Sequence, residues 1–404
     1  MTGIKYISWA DTTGYASTAK AYIRALVDAG EQVTWTPMMY GRKGYQVARR
    51  YRSDCPQLAP LVHRDCDYDS VLIQCVPELF PPFIEQERAH GKRILGVTVW
   101  EHDDLPMHWP PILNQLDGVI VPCEWNRQSF QRSGVTVPIY VVPYLPHAAD
   151  IEPDANDLLW WQRKLAKRSQ RQPSTIFYNI AFWNQRKAPS LALEAFLSAF
   201  SAEDDVALVL KTTRINVTQP IYPWWALFRM RFENPETTVA KRLARYRQET
   251  GREPPTVLTV ADERLDDGKI AALHQFGNIF FSTTHSEGWG MGAYDAALLG
   301  KPVSMPNYGG QMDFLTAQHP LWLPATMVEV PNEAWPHPDK PKDRWAEVDL
   351  DAASQLLRKL HTDMAFRQEQ LAYAKTHATW ITTQFSTAKV VEAMRNAIEG
   401  THAN

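Results

Sequence analysis

Short apolar runs of strand length alternate with stretches of helical periodicity twice over along this chain, and that double alternation leaves few folds open. The first series starts at residues 4–9, passes through Ala10-Asp11-Thr12-Thr13-Gly14-Tyr15, and enters a pattern with Ala19, Tyr22, Ile23 and Leu26 at helical spacing. Apolar runs at 32–36, 70–75, 93–100, 118–121 and 139–142 continue it. Strands alternating with helices imply a parallel sheet covered on both faces. Pro143, Pro146 and Pro153 then interrupt the pattern, and 160–172 is polar and basic. A second series follows: strand 175–179, helix 190–200, strands 206–211, 256–260 and 279–282, a helix from near Gly290, and strand 302–305. The expected fold is therefore α/β, with two doubly wound, Rossmann-like domains facing a central cleft. We expect domains at 1–150 and 173–375, a basic linker at 151–172, and a C-terminal helical segment at 376–404 that packs back toward the first domain. Ligands of such sheets bind outside the carboxyl ends of the strands, so function is expected in that cleft.

Composition removes several classes. At about 100–200 residues per domain, 404 residues hold two or three cores, and 15 Trp, 15 Tyr and 15 Phe are far too many for a disordered chain. No apolar run approaches the ~18–20 residues that span a bilayer, and the first residues lack a basic segment followed by an apolar core. Neither a membrane span nor a signal peptide is expected. Cys55, Cys66, Cys75 and Cys123 show no C-x-x-C spacing, which points to reduced thiols in a cytoplasmic protein.

Three stretches carry chemistry. Ser286-Glu287-Gly288-Trp289-Gly290-Met291-Gly292-Ala293-Tyr294-Asp295 follows a buried strand and enters a helix. Glycines there let backbone approach a ligand, and the amides and dipole of a helix start attract phosphate oxygens. Glu287 and Asp295, about two helical turns apart, can hold two hydroxyl sets of an elongated ligand. The second stretch, Phe182-Trp183-Asn184-Gln185-Arg186-Lys187-Ala188-Pro189, sets adjacent cations at a sheet's carboxyl end, where they can neutralise a diphosphate without a metal. Lys211, ending the run 206–211, is expected to point into the same space. Each alone reads equally as an ordinary turn or a solvated pair; their co-location favours a site. The third stretch is a pair of loops in the first half, with Gly14 and Tyr15 in one and Glu101 and His102 in the other, placed to touch the reacting bond and the acceptor.

With these residues in view, the chain resembles the retaining glycosyltransferases of the GT-B fold, in particular family 4. The likeness rests on Glu287 through Asp295, on Gly300-Lys301-Pro302-Val303, on Gly309-Gly310, and on Arg186-Lys187 with Lys211. Val119-Ile120-Val121-Pro122-Cys123-Glu124-Trp125-Asn126 is similar to the family's V-P-S-x-x-N segment. The family carries E-x7-E, whose first Glu meets the donor sugar and whose second meets the ribose; here Glu287 matches the first and Asp295 stands one methylene shorter at the second. The family's upstream Arg has no match, and Arg186 is the nearest substitute. The resemblance implies a nucleotide-sugar donor, UDP- or GDP-linked, no metal and no other cofactor. It assigns Glu287, Lys187, Arg186 and His102 to catalysis. Gly14, Tyr15, Lys211, Gly288, Trp289, Gly290, Met291, Gly292 and Asp295 would hold the donor; Glu101, Arg42 and Lys43 would meet the acceptor. The first domain would then be the acceptor domain and the second the donor domain.

A metal-dependent transferase is the competing enzyme, because Asp65-Cys66-Asp67-Tyr68-Asp69 contains overlapping D-x-D patterns. These acids precede the strand at 70–75 and so sit at its amino end, where a solvated turn is the better reading. For the acceptor, three basic runs interleave with aromatics: Arg42, Lys43, Arg49, Arg50 and Arg52; Arg163, Lys164, Lys167, Arg168 and Arg171 beside Trp160-Trp161; and Arg229, Arg231, Lys241, Arg242, Arg245 and Arg247 after Trp224-Trp225. Such groups suit a polyanion with stackable rings, such as DNA carrying a hydroxymethylated base. A bacterial surface glycan or phospholipid acceptor, with peripheral membrane contact, and a non-catalytic nucleotide-sugar-binding module stand as alternatives.

Overall fold

The computed structural model describes residues 3–41, 44–51, 55–169, 172–214, 234–262, 265–331 and 343–401. The chain divides into two compact units, Met1–His147 with Thr383–Asn404, and Ala148–Thr382.

The first unit is built on seven strands: β1 (Gly3–Trp9), β2 (Val33–Gly41), β3 (Gly44–Val47), β4 (Tyr68–Gln74), β5 (Arg93–Val97), β6 (Gly118–Val121) and β7 (Ile139–Val141). They lie in the order β3-β2-β1-β4-β5-β6-β7, and all are parallel except β3. Ile4, Tyr6, Ile7, Leu72 and Ile73 are buried, as strands covered on both faces require. The helix Gly14–Asp28 turns Ala16, Ala19, Ile23 and Leu26 inward, and Thr13 caps it by accepting the Ala16 amide. The last helix, Thr387–Glu399, belongs to this unit: it buries Val390, Val391 and Met394, and Arg395 bonds Glu31 at 2.7 Å and the Ala29 carbonyl at 2.9 Å.

The second unit repeats the plan. Strands β8 (Thr175–Ile180), β9 (Val206–Thr212), β10 (Thr256–Ala261), β11 (Ile279–Phe281), β12 (Val303–Pro306) and β13 (Trp322–Leu323) lie in the order β10-β9-β8-β11-β12-β13 and are all parallel. Phe177, Leu208 and Leu210 pack against Leu193 and Phe196 of the helix Pro189–Ala199 and against Leu357 and Leu360 of the helix Leu350–Thr362. An antiparallel pair, β14 (Ala325–Glu329) and β15 (Arg344–Val348), stands outside this sheet. In each unit the strand order reverses beside the first strand, between β1 and β4 and between β8 and β11. Doubly wound sheets open a crevice at the carboxyl ends of such a pair.

Among the described residues no helix is long and apolar enough to cross a membrane. Cys75 and Cys123 are buried, Cys55 and Cys66 half-buried, and no disulfide joins any of them.

Candidate functional site

The most charged of these positions lies in the second unit. Strands β8 and β11 are neighbours, with Phe177 beside Ile279 and Tyr178 beside Phe280, so the loops that leave them start side by side. Backbone bonds stitch the two loops together. The His285 amide donates to the Arg186 carbonyl at 2.8 Å, the Thr283 hydroxyl to the Ala188 carbonyl at 2.8 Å, and the Arg186 guanidinium to the Ser286 carbonyl at 2.6 Å. This arrangement brings the Lys187 ammonium onto Glu287 Oε2 in a close ion pair, with Arg186 Nη1 at 3.6 Å from the same oxygen. Glu287 is only 7% exposed. Burial opposes its charge, but Lys187 and Arg186 outweigh burial and hold the carboxyl below its ordinary range.

A further loop and strand β15 hold the backbone around Glu287. The Gly310 amide donates to the Glu287 carbonyl at 2.7 Å. Gly309 has φ 111, and a Cβ there would stand 2.5 Å from the Glu287 carbonyl oxygen, so no other residue fits. On the other side the His285 ring stacks on Trp345 of β15, centroids 4.2 Å apart, and its Nδ1–H donates to the Ala346 carbonyl at 2.7 Å. Neither His285 nor Trp345 carries a motif; only the strand pairing of β14 and β15 reveals them.

The helix Met291–Leu298 begins at Gly290, whose φ of 88 turns the chain and which supplies no side-chain cap. The amides of its first turn therefore lack partners inside the helix. Gly288 is buried, and Met291 and Gly292 are half-buried. The Trp289 indole is 2% exposed and packs against Tyr294 and Phe314 at 5.1 and 5.2 Å. Asp295 is likewise 2% exposed, and its Oδ2 accepts the Ala148 amide at 3.0 Å. This short carboxylate ties the start of the second unit to the helix. Lys211 lies near the carboxyl end of β9 in register with Ile180, and its carbonyl accepts the Ala181 amide at 3.1 Å, which sets it at the root of the Arg186 loop.

In the first unit the corresponding positions are uncharged or self-satisfied. Asp11 Oδ1 accepts the Thr13 amide and hydroxyl at 2.9 and 2.7 Å, and its Oδ2 accepts the Tyr45 phenol. The Tyr45 ring stacks on Trp9 at 4.0 Å, while Tyr40 stands 69% exposed beside it. The Tyr15 phenol donates to the Val99 carbonyl at 3.1 Å, and Gly14 opens the helix that follows β1. Glu101 is half-buried and His102 is buried. Asn126 positions both: its amide group bonds the Trp100 N–H at 3.0 Å and the Trp100 carbonyl at 2.8 Å. Arg42 and Lys43 lie outside the described residues.

The D-x-D segment sits at the amino end of β4, where the Asp67 carbonyl accepts the Gly3 amide at 3.2 Å. Among the described residues no group of three His, Cys, Asp or Glu side chains could hold a metal ion.

The basic runs divide. Arg242 forks onto Glu194 at 2.6 and 2.7 Å and also reaches Glu249, Arg247 bonds Glu253 at 2.7 Å, and Arg245 lies 3.9 Å from Glu249. Arg242 and Arg247 are thus paired within the chain, whereas Lys241 is exposed; Trp224, Trp225, Arg229 and Arg231 lie outside the described residues. Arg49 and Arg50 are exposed, as are Arg163, Lys164, Lys167 and Arg168, while Arg52 and Arg171 are not among the described residues.

No protein-family model matches the sequence, and no curated protein matches it. Solved structures do match in shape. Sucrose-phosphate synthase from Thermosynechococcus elongatus aligns over 99% of both chains with TM-score 0.67 at 14% identity. A trehalose-6-phosphate protein from E. coli bound with UDP-2-fluoro glucose aligns over 100% of both with TM-score 0.63 at 12% identity. The pneumococcal O-GlcNAc transferase GtfA, in complex with UDP and GlcNAc, aligns over 82% of this chain and 56% of its own with TM-score 0.52 at 13% identity. The chain has the GT-B fold, with two Rossmann-like domains as the sequence pattern implies.

Proposed function

We propose that this protein is a glycosyltransferase that moves a sugar from a UDP- or GDP-linked donor to a hydroxyl acceptor with retention of anomeric configuration, in the manner of family 4. One observation carries the reading. At the β8/β11 junction two cations, a helix start without a side-chain cap and a carboxylate held ionised converge. Structural neighbours bound to UDP or a UDP-sugar support it.

The chemistry follows from charge. As the bond between the anomeric carbon and the leaving phosphate oxygen breaks, negative charge grows on the diphosphate and positive charge on the sugar. Lys187, Arg186 and the first-turn amides of the helix Met291–Leu298 stabilise the diphosphate, with Lys211 nearby; fixed donors in a buried site achieve this without reorganisation. Those cations leave Glu287 for the diphosphate, and the carboxylate then accepts hydrogen bonds from the sugar hydroxyls. The acceptor oxygen attacks from the face of the departing phosphate, and a diphosphate oxygen takes its proton. No step calls for a metal. His102 and Glu101 are the acceptor-side residues of this reading, and the reaction is placed in the cytoplasm. The acceptor hydroxyl belongs to a polyanion such as a hydroxymethylated DNA base, supported by exposed Tyr40, Arg49 and Arg50.

The test is a thermal-shift panel with UDP-, GDP- and ADP-sugars, followed by transfer assays in chelator. A donor at a hundred times its Kd stabilises the native state by about 2.7 kcal/mol. Stabilisation by no nucleotide sugar would sink the proposal. Stabilisation without turnover on DNA, phospholipid or glycan acceptors would leave a binding module, and loss of turnover in chelator would restore a metal.

A further inference from the structure

We propose that the outward face of the helix Ala155–Ala166, with the two residues just past it, docks the phosphodiester backbone of a nucleic acid. In its biological purpose the proposal rests on the reading of the acceptor as a nucleic-acid base. Its physical basis is separate. The helix starts at Asp154, whose carboxylate caps it, and turns Trp161 and Leu165 inward. The Trp161 indole N–H donates to the Lys269 carbonyl at 2.8 Å, and Asp157 pairs with the Lys269 ammonium at 3.3 Å. The inward face is thereby satisfied by its own unit.

Arg163 and Lys167 stand on the opposite side, flanked by Lys164 and by Arg168 just past the helix, and all four are exposed. Among the described residues none of the four forms an ion pair, and the one polar contact is the Lys164 ammonium 4.9 Å over the Trp160 ring. From Leu158 to Leu193 the sequence contains no Asp or Glu, so no local acid can neutralise them. The arginines of the helix Pro235–Thr250 show the alternative, since Arg242 and Arg247 each hold a glutamate of this chain. The helix dipole accounts for one or two cations in a last turn, worth about 0.3–1 kcal/mol each. Four cations within residues 163–168 exceed that requirement and form a patch complementary to an external polyanion.

Phosphates are the better partner than a bilayer. A helix that lies in a membrane interface needs a broad apolar face for the acyl boundary, and here that face is spent on the protein core. Leu159, 37% exposed, with the half-buried Leu158 and Trp160, is too little for that boundary. Cations at positions four apart on a helix, separated by about 6 Å along its axis, can instead contact successive phosphates of one strand. Such contacts are independent of base sequence and depend steeply on salt.

The experiment is fluorescence anisotropy with a labelled, unmodified DNA duplex across a salt series. Arg163→Gln with Lys167→Gln should weaken binding on the order of tenfold at low salt and shallow the log–log salt slope by about two. It should leave the melting temperature and the UDP-induced thermal shift unchanged. Arg247→Gln, which removes a cation already paired with Glu253, should leave DNA affinity unchanged. Failure of the native protein to bind the duplex overturns the proposal. So does a double variant with unchanged affinity and slope, and so does tighter capture by phosphatidylglycerol vesicles than by DNA. An unmodified duplex offers no acceptor hydroxyl, which separates the two readings. Duplex binding without transfer to hydroxymethylated DNA removes the acceptor reading and leaves the surface; transfer to a hydroxymethylated nucleoside without duplex binding does the reverse.

Discussion

The two units share a strand plan and differ in what they leave unsatisfied at the place where that plan reverses. In the first, the helix after β1 is capped by Thr13, Asp11 is occupied by Thr13 and Tyr45, and stacked rings of Trp9 and Tyr45 close the surface. In the second, the helices after β8 and β11 start at Ala188 and Gly290 with no side-chain cap, although those at Ala155, Pro235, Asp267 and Leu350 each have an Asp or Asn cap. The helix Pro81–Ala89 after β4 lacks a side-chain cap as well, so what sets the second junction apart is that its uncapped starts lie beside Arg186 and Lys187. A helix without a cap costs about 1 kcal/mol, and a protein tolerates that where a ligand's oxygens replace the cap. The topology provides both crevices, and the second is the one we propose as the anion receptor.

The largest test of this contrast removes a cation. Lys187→Ala should lower kcat by about 10²–10³-fold, the usual loss when one stabilising donor is deleted from a transition state, and should abolish the UDP-dependent thermal shift. The fold should survive, since Lys187 contributes to no apolar core and Arg186 still faces Glu287 at 3.6 Å. Turnover within a few-fold of the native protein would show that the charged junction is only structural.

How much of this was legible depended on sequence distance. Strands β1, β6, β8, β9 and β11 read from their apolar runs because a strand buried on both faces needs no alternation. Strand β3 did not, since Gly44-Tyr45-Gln46-Val47 is a half-exposed edge beside a basic stretch. Strands β14 and β15 alternate weakly, and the proline-rich stretch 330–343 between them reads as a long loop rather than the short turn that marks a hairpin. Arg186, Lys187 and Glu287 were legible as residues just past strand ends. The Asp295 bond to Ala148 spans 147 positions and the Arg242 pair with Glu194 spans 48, so no local window could show either. Trp289 stands between glycines in the sequence, and the rings of Tyr294 and Phe314 that bury it belong to positions no local pattern links to it.

Acid should separate the units next. His319, in the second, donates from Nε2 to the Val303 carbonyl at 2.6 Å. Burial, helped by nearby His377 and opposed by that bond, pushes its pKa down to about 4 from 6.5. The folded state therefore keeps it neutral while the unfolded chain takes up a proton below pH 6.5. Stability is complete above 6.5 and declines as pH falls toward 4, by about 1.4 kcal/mol per pH unit and about 3 kcal/mol in total from this residue. Urea midpoints should fall over that range, and His319→Gln, which keeps an N–H donor, should flatten the decline. Hydrogen exchange should place the softening at Val303 and Phe314 rather than in β1. An equal decline in the variant would remove His319 as its source.

The smallest effect sharpens the contrast from the first unit's side. Cys123 caps the helix Glu124–Arg132 by accepting the Asn126 amide on its sulfur at 3.4 Å, in the place where the resembling segment has serine. Sulfur is a weak acceptor and a serine oxygen a preferred cap, so Cys123→Ser should raise stability by about 0.5 kcal/mol, read as a small upward shift in melting temperature. It should also tighten the grip of Asn126 on Trp100, and with it the loop bearing Glu101 and His102. Because this helix start already spends its amide on a side chain, the substitution should leave the UDP-induced shift untouched. A change in that shift would mean that the first unit's capped helix, and not only the uncapped starts of the second, takes part in holding the nucleotide.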